Sequence, residues 1–177
     1  MPLFGRRVQI GGSASGKTDP VLIGYAHEVV RNLVKDVMGV GGGIVVGIGR
    51  EPRIDGAAPG SPSLLFDWTA LETAAECLKA GFPAWPSESG LPVTVVSSEK
   101  SESEIPEDRR ALYEELLKSG RFQVESIMAG SRAAAFLRQR QAMFGDALVI
   151  LGGGTGVEHS ADLYLSRRKP VVPLIYL

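Results

Sequence analysis

VQIGGSASGKTDP, Val8 to Pro20, is an apolar run that breaks into glycine and serine, and its part GGSASGKT, Gly11 to Thr18, spells G-x-x-x-x-G-K-T. As a P-loop, its backbone N–H groups would cradle phosphates, Lys17 would neutralise them and Thr18 would hold Mg²⁺. As the end of a first strand, the same glycines would open a different nucleotide pocket. P-loop enzymes add an apolar strand that ends in a metal-holding acid. Here ALVIL (Ala147 to Leu151) runs into GGGTG, GIVVGI (Gly43 to Ile48) into GREPR, and VTVV (Val93 to Val96) into SSEK, where Glu99 comes late. Asp19 also stands before Pro20, which biases it away from helix immediately after the lysine. The P-loop NTPase stays as an alternative, and the glycine-turn pocket leads.

Working outward, short β-branched runs alternate with stretches of helical period. VQI (Val8 to Ile10), GIVVGI, VTVV, QVESIM (Gln123 to Met128), ALVIL and VVPLIY (Val171 to Tyr176) are predicted strands. Ile23, Ala26, Val30, Leu33, Val34 and Val37 fall on one helix face, as do Leu64, Trp68, Leu71, Ala75 and Leu78. Further helices are expected over Glu107 to Lys118, behind Pro106, over Arg132 to Met143 and over Val157 to Ser166. Nearly all-apolar strands alternating with helices predict an α/β, three-layer Rossmann-like domain with a mainly parallel sheet buried on both faces. Ligands of such sheets bind beyond the carboxyl ends of the strands. Two segments read as loops: REPRIDGAAPGSPS (Arg50 to Ser63), placed to fold over a pocket, and the charged SSEKSESEIPED (Ser97 to Asp108).

Composition narrows the function classes. The 177 residues are expected to form one domain, 1–177, and the apolar end PLIYL suggests either a domain cut from a longer effector protein or one that works with a separate effector. A net charge of −1 gives no basic footprint for nucleic acid or an anionic membrane. The single cysteine, Cys77, forms no internal disulfide and belongs to no CxxC or His/Cys cluster, so no metal site is expected and a reducing cytoplasmic setting fits. No stretch reaches eighteen uninterrupted apolar residues.

Glycine follows a predicted strand three times: at Gly11 and Gly12 with Ser13, at Gly47 and Gly49, and at Gly152, Gly153, Gly154 and Gly156 around Thr155. Glycine there lets backbone amides approach phosphate oxygens, and a helix that follows adds a favourable dipole. Ordinary turn chemistry also favours glycine at each position singly. Three on one sheet edge would make a continuous polar floor for a nucleotide.

The run ALVILGGGTGVEHSADLYLSRRKPVVPLIYL, together with VQIGGSAS, resembles the SLOG superfamily, the Rossmann-like group of the Lonely-guy phosphoribohydrolases and the Smf/DprA proteins. The likeness is nearest to the Sir2- and TIR-associated sensor branch (STALD, Thoeris-effector-like). It rests on Gly12-Ser13, on Gly47 and Gly49, on Arg140 with Met143 as R-x-x-M, on Gly152 to Gly156, and on Lys169 to Pro173. The resemblance implies a sensor that binds a phosphorylated nucleotide derived from NAD, ADP-ribose-like or a cyclic ADP-ribose isomer, in antiphage defence. It implies no required cofactor, an effector domain or a TIR/Sir2-type partner, and a homo-oligomer. Gly11, Gly12 and Ser13 would hold one phosphate and Gly153 to Thr155 another, with Arg140 as a planar fork for the pyrophosphate or ribose. The phosphoribohydrolases of this group share P-G-G-x-G-T-x-x-E, and here Gly152 replaces the proline, Val157 the threonine and Ser160 the catalytic glutamate. Glu158, two residues away, is turned by about 200° on a helix. It is the one carboxylate left for the alternative of an enzyme that cleaves the N-glycosidic bond of a nucleoside monophosphate, while a carboxylate near a helix N-terminus is also favoured by the dipole alone.

Overall fold

The computed structural model describes residues 3–56, 60–128, 130 and 132–175. Its six strands form one sheet in the order β4-β3-β2-β1-β5-β6, and every neighbouring pair is parallel. In chain order the elements are β1 (Arg7–Ser13), α1 (Pro20–Gly39), β2 (Gly43–Val46), α2 (Asp67–Lys79), β3 (Val93–Ser98), α3 (Glu99–Ser103), α4 (Glu107–Lys118), β4 (Phe122–Ile127), α5 (Ala133–Phe144), β5 (Ala147–Gly152), α6 (Thr155–Ser166) and β6 (Val171–Ile175). The expected α/β architecture is thus present, with Tyr176 and Ala57 to Pro59 lying outside the described residues.

Strand order reverses between β1 and β5, since the chain winds outward from β1 to β4 and then returns to lay β5 on the other side. Loops on the two sides of such a switch point diverge and leave a crevice at the carboxyl ends of the strands. One face of the sheet is covered by α1 and α2, which pack on each other, with α4 beside α2; the other is covered by α5 and α6. The larger core lies under α1 and α2. Ile23, Ala26, Val30 and Val34 of α1 and Trp68, Leu71 and Ala74 of α2 are buried there against Val8, Ile44, Val46 and Val95. Each such aliphatic side chain contributes about 1.5–3 kcal/mol by leaving water. Under α5 and α6 the apolar cluster is small, Ala142, Leu148 and Tyr164. Polar side chains, Gln9 among them, reach this second face, which is where the site is built.

Local chemistry sets the element ends. Asp19 accepts the Val21 N–H through Oδ1 at 2.8 Å, and Pro20 takes the first helical position, so α1 begins after the GKT turn and not within it. The polar segment expected as a loop from Ser97 contains the five-residue α3. Ser98 and Ser101 cap it reciprocally, each side chain bonding the other's backbone N–H. Leu64 precedes α2, and β1 runs on through Gly11, Gly12 and Ser13, pairing with Ile150, Leu151 and Gly152.

Candidate nucleotide-binding site

At the switch point a cavity of about 250 Å³ opens between the ends of β1 and β5, the first turn of α6 and the middle of α5. Gly12 lets the two strands meet. Its φ is +143°, and a Cβ built on it would lie 2.0 Å from the Leu151 carbonyl oxygen. Gly153 turns the chain from β5 into α6 with φ +104°, where a Cβ would stand 2.3 Å from Val157 Cγ2. Gly154 is the N-cap of α6, and a Cβ there meets nothing within 4 Å. The N–H groups of Thr155 and Gly156, in the first turn, have no helical carbonyl before them to bond. With the helix dipole they make this end of the cavity attractive to an anion.

Arg138 of α5 adds the full charge. It lines the cavity beside Gly154 and Gly156, and its Nε donates to His159 Nδ1 of α6 at 3.2 Å. The His159 ring must accept at Nδ1 in this arrangement, so its proton sits on Nε2. A guanidinium fixed by one edge and open on the other is suited to a phosphate oxygen pair.

The opposite end is polar without being charged by a base. Gln9, 3% exposed, donates from Nε2 to Gln141 Oε1 at 3.2 Å, and its own Oε1 is buried with no hydrogen-bond partner. Asp67, the first residue of α2, accepts the Gly47 N–H through Oδ1 at 3.1 Å. Burial raises its carboxyl above the ordinary range, opposed by hydrogen bonds from the Gly47 N–H and its own backbone N–H. Ser160 of α6 also lines the cavity and donates to the Gly156 carbonyl at 3.2 Å.

Of the residues singled out from sequence, Gly11, Gly12, Ser13, Gly154 and Gly156 line this cavity together, and Gly152 and Gly153 form the turn behind them. Thr155 is exposed on the first turn of α6. Gly47 and Gly49 stand back from the cavity: Gly47 supports Asp67, and the Gly49 carbonyl accepts from Trp68 Nε1 at 2.9 Å. Arg140 points elsewhere, pairing with Glu125 Oε2 at 3.3 Å and lying over the Phe144 ring, so Arg138 occupies the place expected for it. Glu158 is exposed and outside the cavity, as the 200° offset requires. Lys17 and Thr18 lie in an exposed turn where Thr18 Oγ1 accepts the Ser15 N–H at 3.1 Å; neither lines the cavity. Described residues of the segment from Arg50 onward do not line this cavity either: Glu51, Arg53 and residues 60–63 line a separate one of about 500 Å³, with Arg31 and Arg109. The segment's return half is tied down by Leu64, whose carbonyl accepts the Ala14 N–H at 2.8 Å, and by Ser63, whose carbonyl accepts from His27 Nε2 at 2.8 Å. Sequence reasoning missed Gln9, Asp67, Arg138 and Gln141. Gln9 alone carried a signal, a polar residue inside an otherwise apolar strand.

Among the described residues no group of three or more His, Cys, Asp or Glu is arranged to hold a metal ion, and no helix is long and apolar enough to cross a membrane.

Residues 3–176 match the family described as "ATP nucleosidase Cap17-like, N-terminal". A protein named ATP nucleosidase Cap17 from Escherichia coli (strain KTE188) is 27% identical over 166 residues, 94% of this chain and 31% of that protein. The chain therefore spans about a third of the length of the curated relatives it matches. Among solved structures, DNA processing protein A from Helicobacter pylori, described for its single-stranded DNA binding, superposes with a TM-score of 0.57 at 15% identity. The match covers 96% of this chain and 65% of that one, and speaks to the fold alone.

Proposed function

The chain belongs to the ATP nucleosidase Cap17-like N-terminal family, and from that membership we propose that it is a nucleotide-recognition domain which binds a phosphorylated nucleotide at the β1/β5 switch point. The observation that carries this is the cavity's division of labour: open α6 amides and Arg138 at one end, and the unpartnered acceptor of Gln9 at the other. By the SLOG resemblance the ligand is derived from NAD, of the ADP-ribose type, and the domain acts as the sensor of a longer antiphage effector protein. It needs no metal or other cofactor to bind. Isothermal titration of the chain with ADP-ribose tests it, with saturable one-site binding expected and no heat above dilution as the contrary result.

A second reading, cleavage of the N-glycosidic bond within this domain, draws on Asp67. Among the described residues it is the only carboxylate lining the cavity, and its raised pKa would suit a proton donor. By the SLOG resemblance Ser160 stands where the phosphoribohydrolases carry glutamate, and its hydroxyl supplies no carboxylate there to activate water, which favours binding without turnover. Incubation with ATP, AMP or NAD separates the two. No free adenine or nicotinamide is expected, and base release that Asp67→Asn abolishes would move the chain to the enzymes.

A further inference from the structure

Arg138 is held by a partner that carries no charge. Its Nε donates to His159 Nδ1 at 3.2 Å, and because a guanidinium only donates, that ring nitrogen keeps its lone pair and the imidazole is neutral. Other arginines of the chain are matched by acids: Arg6, Arg31, Arg109, Arg110 and Arg140 each meet a carboxylate. Among the described residues no carboxylate pairs with Arg138. Its place on α6 makes this costly. A Cβ built on Gly156, in the first turn of α6, would lie 3.4 Å from Arg138 Nη1. Gly156 and His159 share one helix face, so the guanidinium lies along the N-terminal end of α6. That end of the helix dipole is positive and disfavours a cation. Glu158, on the same turn, is exposed and forms no ion pair with Arg138. A cation that lines a cavity, set against a positive helix end without an acid beside it, is suited to an anion that comes from outside.

We propose that His159 is the positioning residue for the phosphate end of the site, a neutral acceptor that holds Arg138 by Nε without cancelling its charge. The inference rests on the nucleotide site proposed above. A carboxylate in the same place would hold the arginine more firmly, since charge-assisted pairs are the stronger. It would also offset the guanidinium charge and compete with phosphate for the remaining N–H groups. An apolar side chain would keep the charge and lose the hold, so that binding would have to order the long arginine side chain. A neutral acceptor meets both demands. Stability and recognition therefore favour different residues at this position.

The test compares His159→Asn, His159→Asp and His159→Leu with wild type by calorimetric titration with ADP-ribose. In asparagine and aspartate Oδ1 stands as far beyond Cβ as Nδ1 does in histidine, so the two variants keep the acceptor and differ in charge. His159→Asn should bind within about threefold of wild type, and His159→Asp and His159→Leu about 10- to 100-fold more weakly, the range for a charge-assisted hydrogen bond. Melted without ligand, His159→Asp should be no less stable than His159→Asn, because it gains an ion pair between α5 and α6. That split separates positioning from a merely structural tie, under which the more stable variant would also bind better. His159→Asp binding as tightly as His159→Asn, or His159→Asn losing as much as His159→Asp, would overturn the role of a neutral acceptor. His159→Leu binding as tightly as wild type would overturn the positioning. Each of these results leaves the site intact, whereas no binding by wild type would overturn the site and the inference with it. If circular dichroism shows that His159→Leu does not fold, His159→Ala takes its place with the same expected loss.

Discussion

Arg138 of α5 and His159 of α6 are joined across the helix pair by a hydrogen bond, Nε to Nδ1 at 3.2 Å, and Arg138 lines the cavity. Arg140, two residues on, is spent on Glu125 instead. Arg138→Ala should therefore weaken ADP-ribose binding by about 1.5–3 kcal/mol, the range for charge-assisted bonds, and Arg140→Ala should leave it unchanged. Titration calorimetry of the two variants side by side decides it. The reverse ranking would return the phosphate role to Arg140.

Gly154 and Gly153 should respond in opposite ways to an added side chain. Gly154 is an N-cap with open space around its Cβ position, and aspartate is a better N-cap than glycine by a few tenths of a kcal/mol. Gly154→Asp should keep or slightly raise the melting temperature of the free protein, yet place a negative charge where the phosphate must sit and abolish ligand-induced stabilisation. A folded Gly154→Asp variant with the wild-type thermal increment would show that the α6 N-terminus does not hold the ligand.

Gly153→Val, by contrast, cannot serve as a clean binding probe. Its Cβ would collide with Val157, and its φ of +104° is strained for any L side chain. The variant should melt well below wild type even without nucleotide, by differential scanning fluorimetry. Unchanged melting would mean that the turn opens more readily than its geometry implies.

His27 gives the fold a pH dependence of definite sign. Its ring is held neutral between the Ser63 carbonyl on Nε2 and the Thr69 hydroxyl on Nδ1, at 2.8 and 2.6 Å, and burial lowers its pKa from the ordinary 6.5. The unfolded chain takes up that proton near pH 6.5, the folded chain only at lower pH. Stability from this group is complete above that pH and is lost as the pH falls toward the folded value, with a slope approaching about 1.4 kcal/mol per pH unit. Urea midpoints at pH 7.5, 6.5 and 5.5 should show the decline in wild type and less of it in His27→Gln, whose amide can still donate to Ser63.

Lys17→Ala should leave nucleotide affinity unaltered, because the lysine stands in an exposed turn ahead of α1. A loss of binding in that variant, or Mg²⁺-dependent phosphate release from ATP by wild type, would restore the P-loop reading.

The fold was legible because its strands are apolar on both faces and its helices keep their period, as Ile23 to Val37 show. α3 was not, because five residues capped by two serines have no apolar stripe to announce them. Gly12 and Gly153 were legible for a local reason, since the backbone at each demands glycine. Arg138, Gln141 and Asp67 were not, since what distinguishes Arg138 from Arg140 is which neighbour the helix rotation brings within reach. That neighbour, His159 for one and Glu125 for the other, lies in another element. Gln9 needed the structure to show that nothing answers its oxygen.

The contact between Gly12 and the Leu151 carbonyl carries a metric consequence. β1 bears the Gln9 end of the cavity and β5 leads into the α6 end, and six paired positions from Val8 to Ser13 clamp the two strands together with no side chain between them. The two ends cannot drift apart or slide without breaking a buried parallel ladder. The pair works as a fixed caliper, measuring the distance from base to phosphate in whatever enters. Ligands would then be sorted by length as well as by chemistry, and one whose phosphate and base stand at the wrong span gains only one of its two anchors.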